Sequence, residues 1–471
     1  MVTFLIALFA LIAGFFIYSK IVDNFFKPTD KPTPAITKKD GVDFVPLPTW
    51  KVFMIQLLNI AGLGPIFGAL GGAIWGPTVY IWIVLGTIFA GGVHDYLSGM
   101  ISMREGGKSM SEIVGKYLGG AALTVMRIFL TGLMVLVGTV FTVGPAGLLQ
   151  MMTGMPLTTL IVMILAYYFL ATLLPIDKII GRLYPIFGIC FIFMALGIMF
   201  GMLSDGSAMP EMQLANLHPK ELPIWPLMFV TVACGAVSGF HSTQSPIMAR
   251  CVTNEHLARP IFYGAMVAEG IIALIWAAAG ITFFHGTAGL NEVLSANGPG
   301  AVVYKICEGF MGSGLGMVLA MIGVIACPIT SGDTSLRSAR LILSDWFNLA
   351  QDKLPKRLVL SVPIIICAGL ITQFDYSTVW RYFAWSNQTV ATIVLWTGAV
   401  YMSQKMQGKA FLVALVPAIF MTAVTMTYIL VAPEGFQLHS AFCTIAGIVI
   451  AALFTARFRQ TQNISTRPRL A

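Results

Sequence analysis

The sequence has few charges. Only 10% of its 471 residues are Asp, Glu, Lys or Arg, while 57% are hydrophobic. A soluble domain carries about 25% charged residues because its surface faces water. So small a charged fraction, with a mean hydropathy of +0.84, excludes an ordinary soluble protein of this length. We therefore predict a multi-pass protein of the bacterial inner membrane.

Other absences exclude whole classes of function. The seven cysteines are scattered without a CxxC spacing, which is typical of apolar core residues rather than of disulfides or a metal site. No basic run with interleaved aromatics occurs, so nucleic acid is not an expected partner. The segment Gly106–Ser109 lacks the earlier glycine and the strand of a phosphate-binding loop. The sequence therefore predicts no cofactor, no metal and no catalytic residue.

Long apolar runs are abundant. A hydrocarbon core about 30 Å thick needs roughly 17–25 apolar residues per helix, and thirteen runs approach or meet that length. They are Val2–Tyr18, Val52–Gly72, Thr78–Ser102, Gly119–Gly147, Thr158–Leu174, Leu183–Leu203, Ile224–Ala249, Pro260–Phe284, Gly314–Ile329, Leu358–Thr372, Val379–Met402, Ala410–Val431 and Leu438–Phe454. We predict an all-α fold with about thirteen transmembrane helices, called predicted helices 1–13.

Lysine and arginine collect on one side of these spans. Of the 28, Lys220, Lys305 and Arg381 fall on the other side and Arg127 falls inside a span. Because cytoplasmic loops are enriched in Lys and Arg, we predict that the N-terminus is outside and the C-terminus inside. Residues 457–471 would then form a basic cytoplasmic tail.

Predicted helices 2 and 7 are interrupted in mid-membrane. Gly62, Gly64 and Pro65 interrupt the first of them, and Gly235, Gly239 and Pro246 interrupt the second. Non-helical backbone at this depth survives only where protein or a water-filled cavity satisfies its polar groups. Broken helices at matching places of two inverted halves are typical of transporter binding sites, although Gly and Pro also serve simple close packing.

This spacing predicts a LeuT-like inverted repeat of five plus five helices, formed by predicted helices 2–6 and 7–11. One transmembrane domain, residues 1–456, would contain both repeats. Its parts would be an extra first helix and loop in 1–50, repeat 1 in 51–203, repeat 2 in 204–402 and two peripheral helices in 403–456.

Several long segments carry a family resemblance. They are Ile60–Pro65, Gly91–Ser109, Cys234–Pro246, Thr330–Asp345 and Ser386–Gln388. The chain resembles the short branch of the carbon starvation protein A family. The resemblance implies a secondary transporter that takes up short peptides or pyruvate in carbon starvation, with protons as the driving ion. A sodium-coupled carrier of another small organic acid or amino acid is the alternative. An intramembrane enzyme or a nutrient sensor is the alternative from another class.

Half-helix N-termini at the two breaks present free N–H groups that suit a substrate carboxylate. We predict a substrate site from the residues at these breaks and on predicted helix 11; interhelical hydrogen bonding is the structural alternative. The candidates are Asn59, Gly62, Gly64, Gly239, His241, Ser242, Thr243, Gln244, Ser386, Asn387 and Gln388.

Ionisable residues inside spans are costly and tend to be functional. By orientation, Asp95, Arg127 and Glu269 share the inner third of the membrane, and we predict that they form a charge-paired gate or, alternatively, a structural ion pair. Glu269 is the first candidate for proton coupling. His241 is the second, because histidine titrates near physiological pH.

A third cluster follows predicted helix 9. The hydroxyls of Thr330, Ser331 and Thr334 stand where LeuT-type carriers hold sodium, so they predict a possible cation site. The alternative is a helix cap for an amphipathic segment, Ser335–Phe347, since Ser and Thr cap helices well.

Overall fold

The fold is entirely helical. The computed structural model describes residues 1–41, 43–173, 177–351 and 353–465, and no strand occurs within these ranges. The last residue of predicted helix 5, Leu174, and the end of the predicted tail, 466–471, lie outside them. The main helices are α1 (Val2–Phe26), α2 (Thr49–Ile60), α3 (Ala69–Ala73), α4 (Val79–Arg104), α5 (Met110–Leu118), α6 (Gly120–Thr153), α7 (Leu157–Leu173), α8 (Asp177–Ser204), α9 (Ile224–Gly235), α10 (His241–Ala249), α11 (Glu255–Phe283), α12 (Thr287–Met311), α13 (Leu315–Phe347), α14 (Leu354–Ile371), α15 (Tyr376–Lys405), α16 (Leu412–Val431) and α17 (Ser440–Ser465).

Many of these helices are long and apolar enough to cross a bilayer. Within the described ranges nine helices qualify, or ten if the bent pair α2–α3 is one span. This confirms a multi-pass membrane protein. Every predicted span contains helical backbone, but α7 and α9 are too short to be among the nine and α15 is not among them either. The number thirteen therefore stays a prediction.

Two local expectations are corrected. Helix α12 was not predicted, because Glu292, Lys305 and Glu308 interrupt its apolar residues. Helix α13 does not end at Ile329 but continues through Pro328 to Phe347, a total length of 33 residues. The expected cap for a separate segment Ser335–Phe347 is therefore absent from this helix.

Most of the predicted interruptions are present as breaks in the backbone, but Pro246 is not one of them, because it lies inside the continuous helix α10. Helix α2 ends at Ile60, and the chain resumes as a π-helical turn, Gly64–Gly68, that leads into α3 at an angle of 53° to α2. The second break begins near the end of α9, where Ala233 has a φ of +46°, and ends where α10 begins. It is shorter than the predicted break, Gly235–Gln244, because α10 begins at His241 and takes in the last four of those residues.

The two breaks pack directly against each other. A β-carbon on Gly64 would lie 2.4 Å from Cβ of Cys234, and one on Gly68 would lie 2.3 Å from the carbonyl oxygen of Val232. Such separations are far inside van der Waals contact, so only glycine permits this crossing. The crossing places both breaks in the interior of the helical bundle.

Gly68→Ala tests this crossing. The added methyl would meet backbone of α9, which cannot rotate away as a side chain can, so we expect a loss of about 1–3 kcal/mol in stability. It would be measured as a lower thermal unfolding temperature in detergent. Gly147→Ala in α6 is the matched control, because a β-carbon there meets nothing within 4 Å, and its unfolding temperature should not fall. Equal unfolding temperatures for the two variants would contradict the close crossing.

Candidate functional site

Four titratable side chains meet beside the second break. Asp95 and His94 lie in α4, His241 begins α10 and Glu269 lies in α11, and all four are fully buried. Asp95 Oδ1 is 2.8 Å from His94 Nδ1, and Asp95 Oδ2 is 2.9 Å from His241 Nδ1. On its other side, His241 Nε2 is 3.4 Å from Glu269 Oε2. The order His94–Asp95–His241–Glu269 therefore forms one buried chain across three helices, called the charge cluster below.

The cluster suits proton binding. A buried charge without a partner is costly, so two carboxylates and two imidazoles in one site must share protons in a way that limits their net charge. His241 contacts a carboxylate with each ring nitrogen, and the protonation of any member therefore affects its neighbours. A single proton gained or lost here changes the net charge of a cluster that three helices share beside a break.

The cluster also has unsatisfied atoms. Neither carboxyl oxygen of Glu269, nor Nε2 of His94 or His241, has a hydrogen-bond partner among the described residues. A buried polar group without a partner costs about 1–3 kcal/mol. Four buried polar atoms of the cluster are thus without a hydrogen bond within the described ranges, although His241 Nε2 and Glu269 Oε2 remain in ionic contact.

The predicted gate is only partly assembled. Asp95 and Glu269 are brought together, but through His241 rather than through Arg127. Arg127 lies half-buried on α6 and acts electrostatically on Asp345 of α13. Helix α6 packs along α13, so the cation expected in the gate belongs to a different helix pair.

Asn387 in α15 holds the second break. Its Oδ1 accepts a hydrogen bond from Phe240 N–H at 2.8 Å, and its carbonyl oxygen accepts one from Gly239 N–H at 3.0 Å. Its Nδ2 donates to Cys234 Sγ at 3.1 Å. The N–H groups expected to meet a substrate are thus satisfied by Asn387 in this conformation.

Gln388, the next residue of α15, bonds to α9 on the other side of the same break. Its Nε2 donates to the Phe229 carbonyl, 2.7 Å away and before the break, whereas Asn387 bonds to Phe240, after it. Two consecutive residues of α15 thus bridge the interruption between α9 and α10. Interhelical bonding, the structural alternative for these residues, is present here.

The other predicted substrate residues surround the two breaks. The hydroxyls of Ser242 and Thr243 donate to carbonyls one turn back, at Gly239 and Phe240, and Gln244 donates to Thr243. The remaining candidates are buried: Asn59, Gly62 and Gly64 lie at the first break, and Ser386 precedes Asn387 in α15.

The first break is satisfied by a thiol that sequence analysis treated only as a core residue. Cys327 of α13 has its Sγ 3.2 Å from the Leu58 carbonyl and 3.6 Å from the Ala61 carbonyl. Its position one residue before Pro328, among hydroxyl residues, was the available signal. In the described part of the chain, no group of three or more His, Cys, Asp or Glu residues is arranged to hold a metal ion.

Of the predicted cation ligands, two are already engaged. Thr330 Oγ1 donates to the Cys327 carbonyl at 2.9 Å, and Thr334 Oγ1 donates to the Thr330 carbonyl at 3.0 Å. Ser331 Oγ is buried and has no hydrogen-bond partner within the described ranges. The hydroxyl of Ser331 thus differs from those of Thr330 and Thr334, which donate to carbonyls of their own helix.

Comparisons with known proteins agree on a family and a fold. The family model for carbon starvation protein CstA matches residues 1–155, 146–296 and 277–428. An uncharacterised membrane protein of Haemophilus influenzae is 40% identical over 65% of this chain and 97% of its own length. The peptide transporter CstA of Bacillus subtilis is 25% identical over 85% of this chain and 84% of its own length.

Two further proteins extend the comparison. The pyruvate/proton symporter BtsT of Escherichia coli is 24% identical over 52% of this chain, a match that spans only 43% of its own length. A manganese transporter of Eremococcus coleocola has a similar fold, with a TM-score of 0.55 at 13% identity, covering 91% of this chain and 97% of the other.

Asn387→Leu tests the bridge across the second break. The substitution keeps the side chain's approximate size but leaves Phe240 N–H buried without its acceptor, a cost of about 1–3 kcal/mol. We expect a lower thermal unfolding temperature and faster amide exchange at the start of α10. Ser386→Ala, one residue earlier in α15, is the control and should change neither. Unchanged exchange in Asn387→Leu would show that the bond does not hold the break.

Proposed function

The chain belongs to the carbon starvation protein CstA family, and we propose from this premise that it is a secondary active transporter. Its substrates would be small carboxylate nutrients, short peptides or pyruvate, taken up across the bacterial inner membrane together with protons. The names of the relatives support this class, since they include peptide transporters and a pyruvate/proton symporter. For the same reason we do not propose an enzyme or a sensor.

One observation supports proton coupling above all. The charge cluster is fully buried, joins three helices and includes the first residue of half-helix α10. Protonation of Glu269 would neutralise its carboxylate and remove its attraction for His241, which would free α10 to move relative to α11. A proton that alters contacts between moving elements couples to conformation, because its binding free energy differs between the two states.

The breaks are the proposed substrate site. We propose that a substrate carboxylate takes the place of Asn387 Oδ1 at the N–H of Phe240, where the half-helix N-terminus favours negative charge. Release of Asn387 would then loosen the bridge between α9 and α10. Substrate binding and proton binding would thus act on the same half-helix, since His241 is its first residue.

The inverted repeat is part of the proposal. Predicted helices 2–6 and 7–11 would form the two halves, because the first helix of each is broken and the two breaks cross at Gly64 and Cys234. An inverted pair of broken helices at the midplane is the arrangement on which alternating access commonly rests.

Sodium coupling is the second candidate. It is favoured by the buried hydroxyl of Ser331, which has no hydrogen-bond partner within the described ranges. Ser331 lies on the same helix as Cys327, whose thiol contacts the first break. We place it second because the oxygens at this break already accept from a thiol.

Uptake by the purified protein in liposomes tests the function. With an inward proton gradient, we expect accumulation of labelled pyruvate or of a labelled dipeptide, and loss of accumulation when the gradient is collapsed. Glu269→Gln cannot release a proton, so it should lose gradient-driven accumulation but still exchange labelled for unlabelled substrate. Glu292→Gln, an exposed acid on α12, is the matched control and should behave as wild type.

Three results would contradict the proposal. Wild-type protein that accumulates neither substrate would remove the substrate class, and gradient-driven accumulation by Glu269→Gln at the wild-type rate would remove the coupling role. Wild-type protein that does not exchange labelled for unlabelled substrate would be a channel rather than a carrier.

Replacement of sodium by choline separates the two candidate ions. For a proton-coupled carrier we expect unchanged uptake in choline, and Ser331→Ala should respond to sodium no differently from wild type. Uptake that requires sodium, and that Ser331→Ala impairs with a raised sodium requirement, would favour the second candidate instead.

A further inference from the structure

A groove on the outer surface of the bundle is apolar along its length and charged at one end. It has a volume of about 770 Å³ and lies between α1, α2, α8 and α11, within the range of about 300–1,000 Å³ that small-molecule sites occupy. Its floor includes Gly264, Ala268 and Ile271, which follow one face of α11. We call it the lateral groove.

The groove has the length of a lipid chain in one leaflet. Its lining on α11 extends from Pro260 to Ile271, a rise of about 16 Å at 1.5 Å per residue. That is about half of a hydrocarbon core roughly 30 Å thick. Ile12 on α1 and Ile189 on α8 form its walls and are exposed.

The mouth of the groove carries an arginine and an interfacial aromatic residue. The Arg259 guanidinium lies over the ring of Phe15, a lining residue, 5.3 Å from its centroid, and is 3.4 Å from Ser19 Oγ. No carboxylate of the described residues forms an ion pair with it. Asp23 interacts with it electrostatically, and this carboxylate accepts a hydrogen bond from the Tyr96 hydroxyl at 2.6 Å. Trp50, which is 62% exposed, stands at the same end, as Trp does at membrane interfaces.

We propose that the lateral groove binds one anionic glycerophospholipid from the leaflet on the basic side of the membrane. Its acyl chain lies along α11 and its phosphate meets Arg259. The groove's apolar lining selects the chain, and the positive charge at its mouth selects the anionic headgroup. A basic pocket near the headgroup level attracts anionic lipids in this way. This site is independent of the proposed transport function, and it lies on the lipid-facing side of the helix that carries Glu269.

Native mass spectrometry of the delipidated full chain tests the site. The protein is incubated with phosphatidylglycerol or phosphatidylcholine, and the first bound lipid is quantified. We expect phosphatidylglycerol to bind about fivefold more tightly, the equivalent of ~1 kcal/mol for one basic residue near the headgroup. Arg259→Gln should abolish this preference while phosphatidylcholine still binds, and Arg259→Lys should keep it.

A second variant tests the apolar part. Ala268→Phe should fill the groove and weaken the binding of both lipids. Ala452→Phe and Arg457→Gln, at exposed positions of α17, are the matched controls and should bind as wild type. Equal affinity of the wild type for the two lipids would overturn the proposal. So would equal losses in Ala268→Phe and Ala452→Phe, or a second copy of the chain bound in place of lipid.

Discussion

Backbone that leaves the helix in mid-bilayer must find its hydrogen-bond partners inside the protein, because lipid offers none. This constraint explains the centre of the molecule. At the first break, the Leu58 and Ala61 carbonyls accept from the thiol of Cys327. At the second, Asn387 satisfies Gly239 and Phe240. Each break is therefore held by a side chain from another helix.

The charge cluster stands against the second break. His241 is both the first residue of α10 and the link between Asp95 and Glu269, so the position of the half-helix and the protonation of the cluster depend on each other. That dependence is what a proton-coupled carrier requires, since a ligand shifts a conformational equilibrium only through a difference in its affinity for the two states. The N–H group proposed for the substrate carboxylate belongs to Phe240, which directly precedes this half-helix, so both proposed ligands would act on the same element.

Much of this arrangement could be predicted from the sequence. Gly64, Pro65 and Gly239 locate the breaks, since these residue types disrupt helices locally, and apolar runs locate the helices. What could not be predicted depends on helix rotation. Asp95, His241 and Glu269 are far apart in the chain, and whether each faces the others is set by packing. For the same reason, the sequence could not show that Arg127 lies in a different helix pair. Helix α12 was missed because its charged residues conceal a helix that packs against α8 and α6.

Infrared difference spectroscopy of the carboxyl groups tests the central claim most directly. The account predicts that adding pyruvate or a dipeptide at constant pH changes the carbonyl-stretch band of a protonated carboxylic acid, and that this change disappears in Glu269→Gln but persists in Glu292→Gln. Substrate binding that leaves the carboxyl region unchanged, or a change that survives in Glu269→Gln, would contradict coupling through the charge cluster.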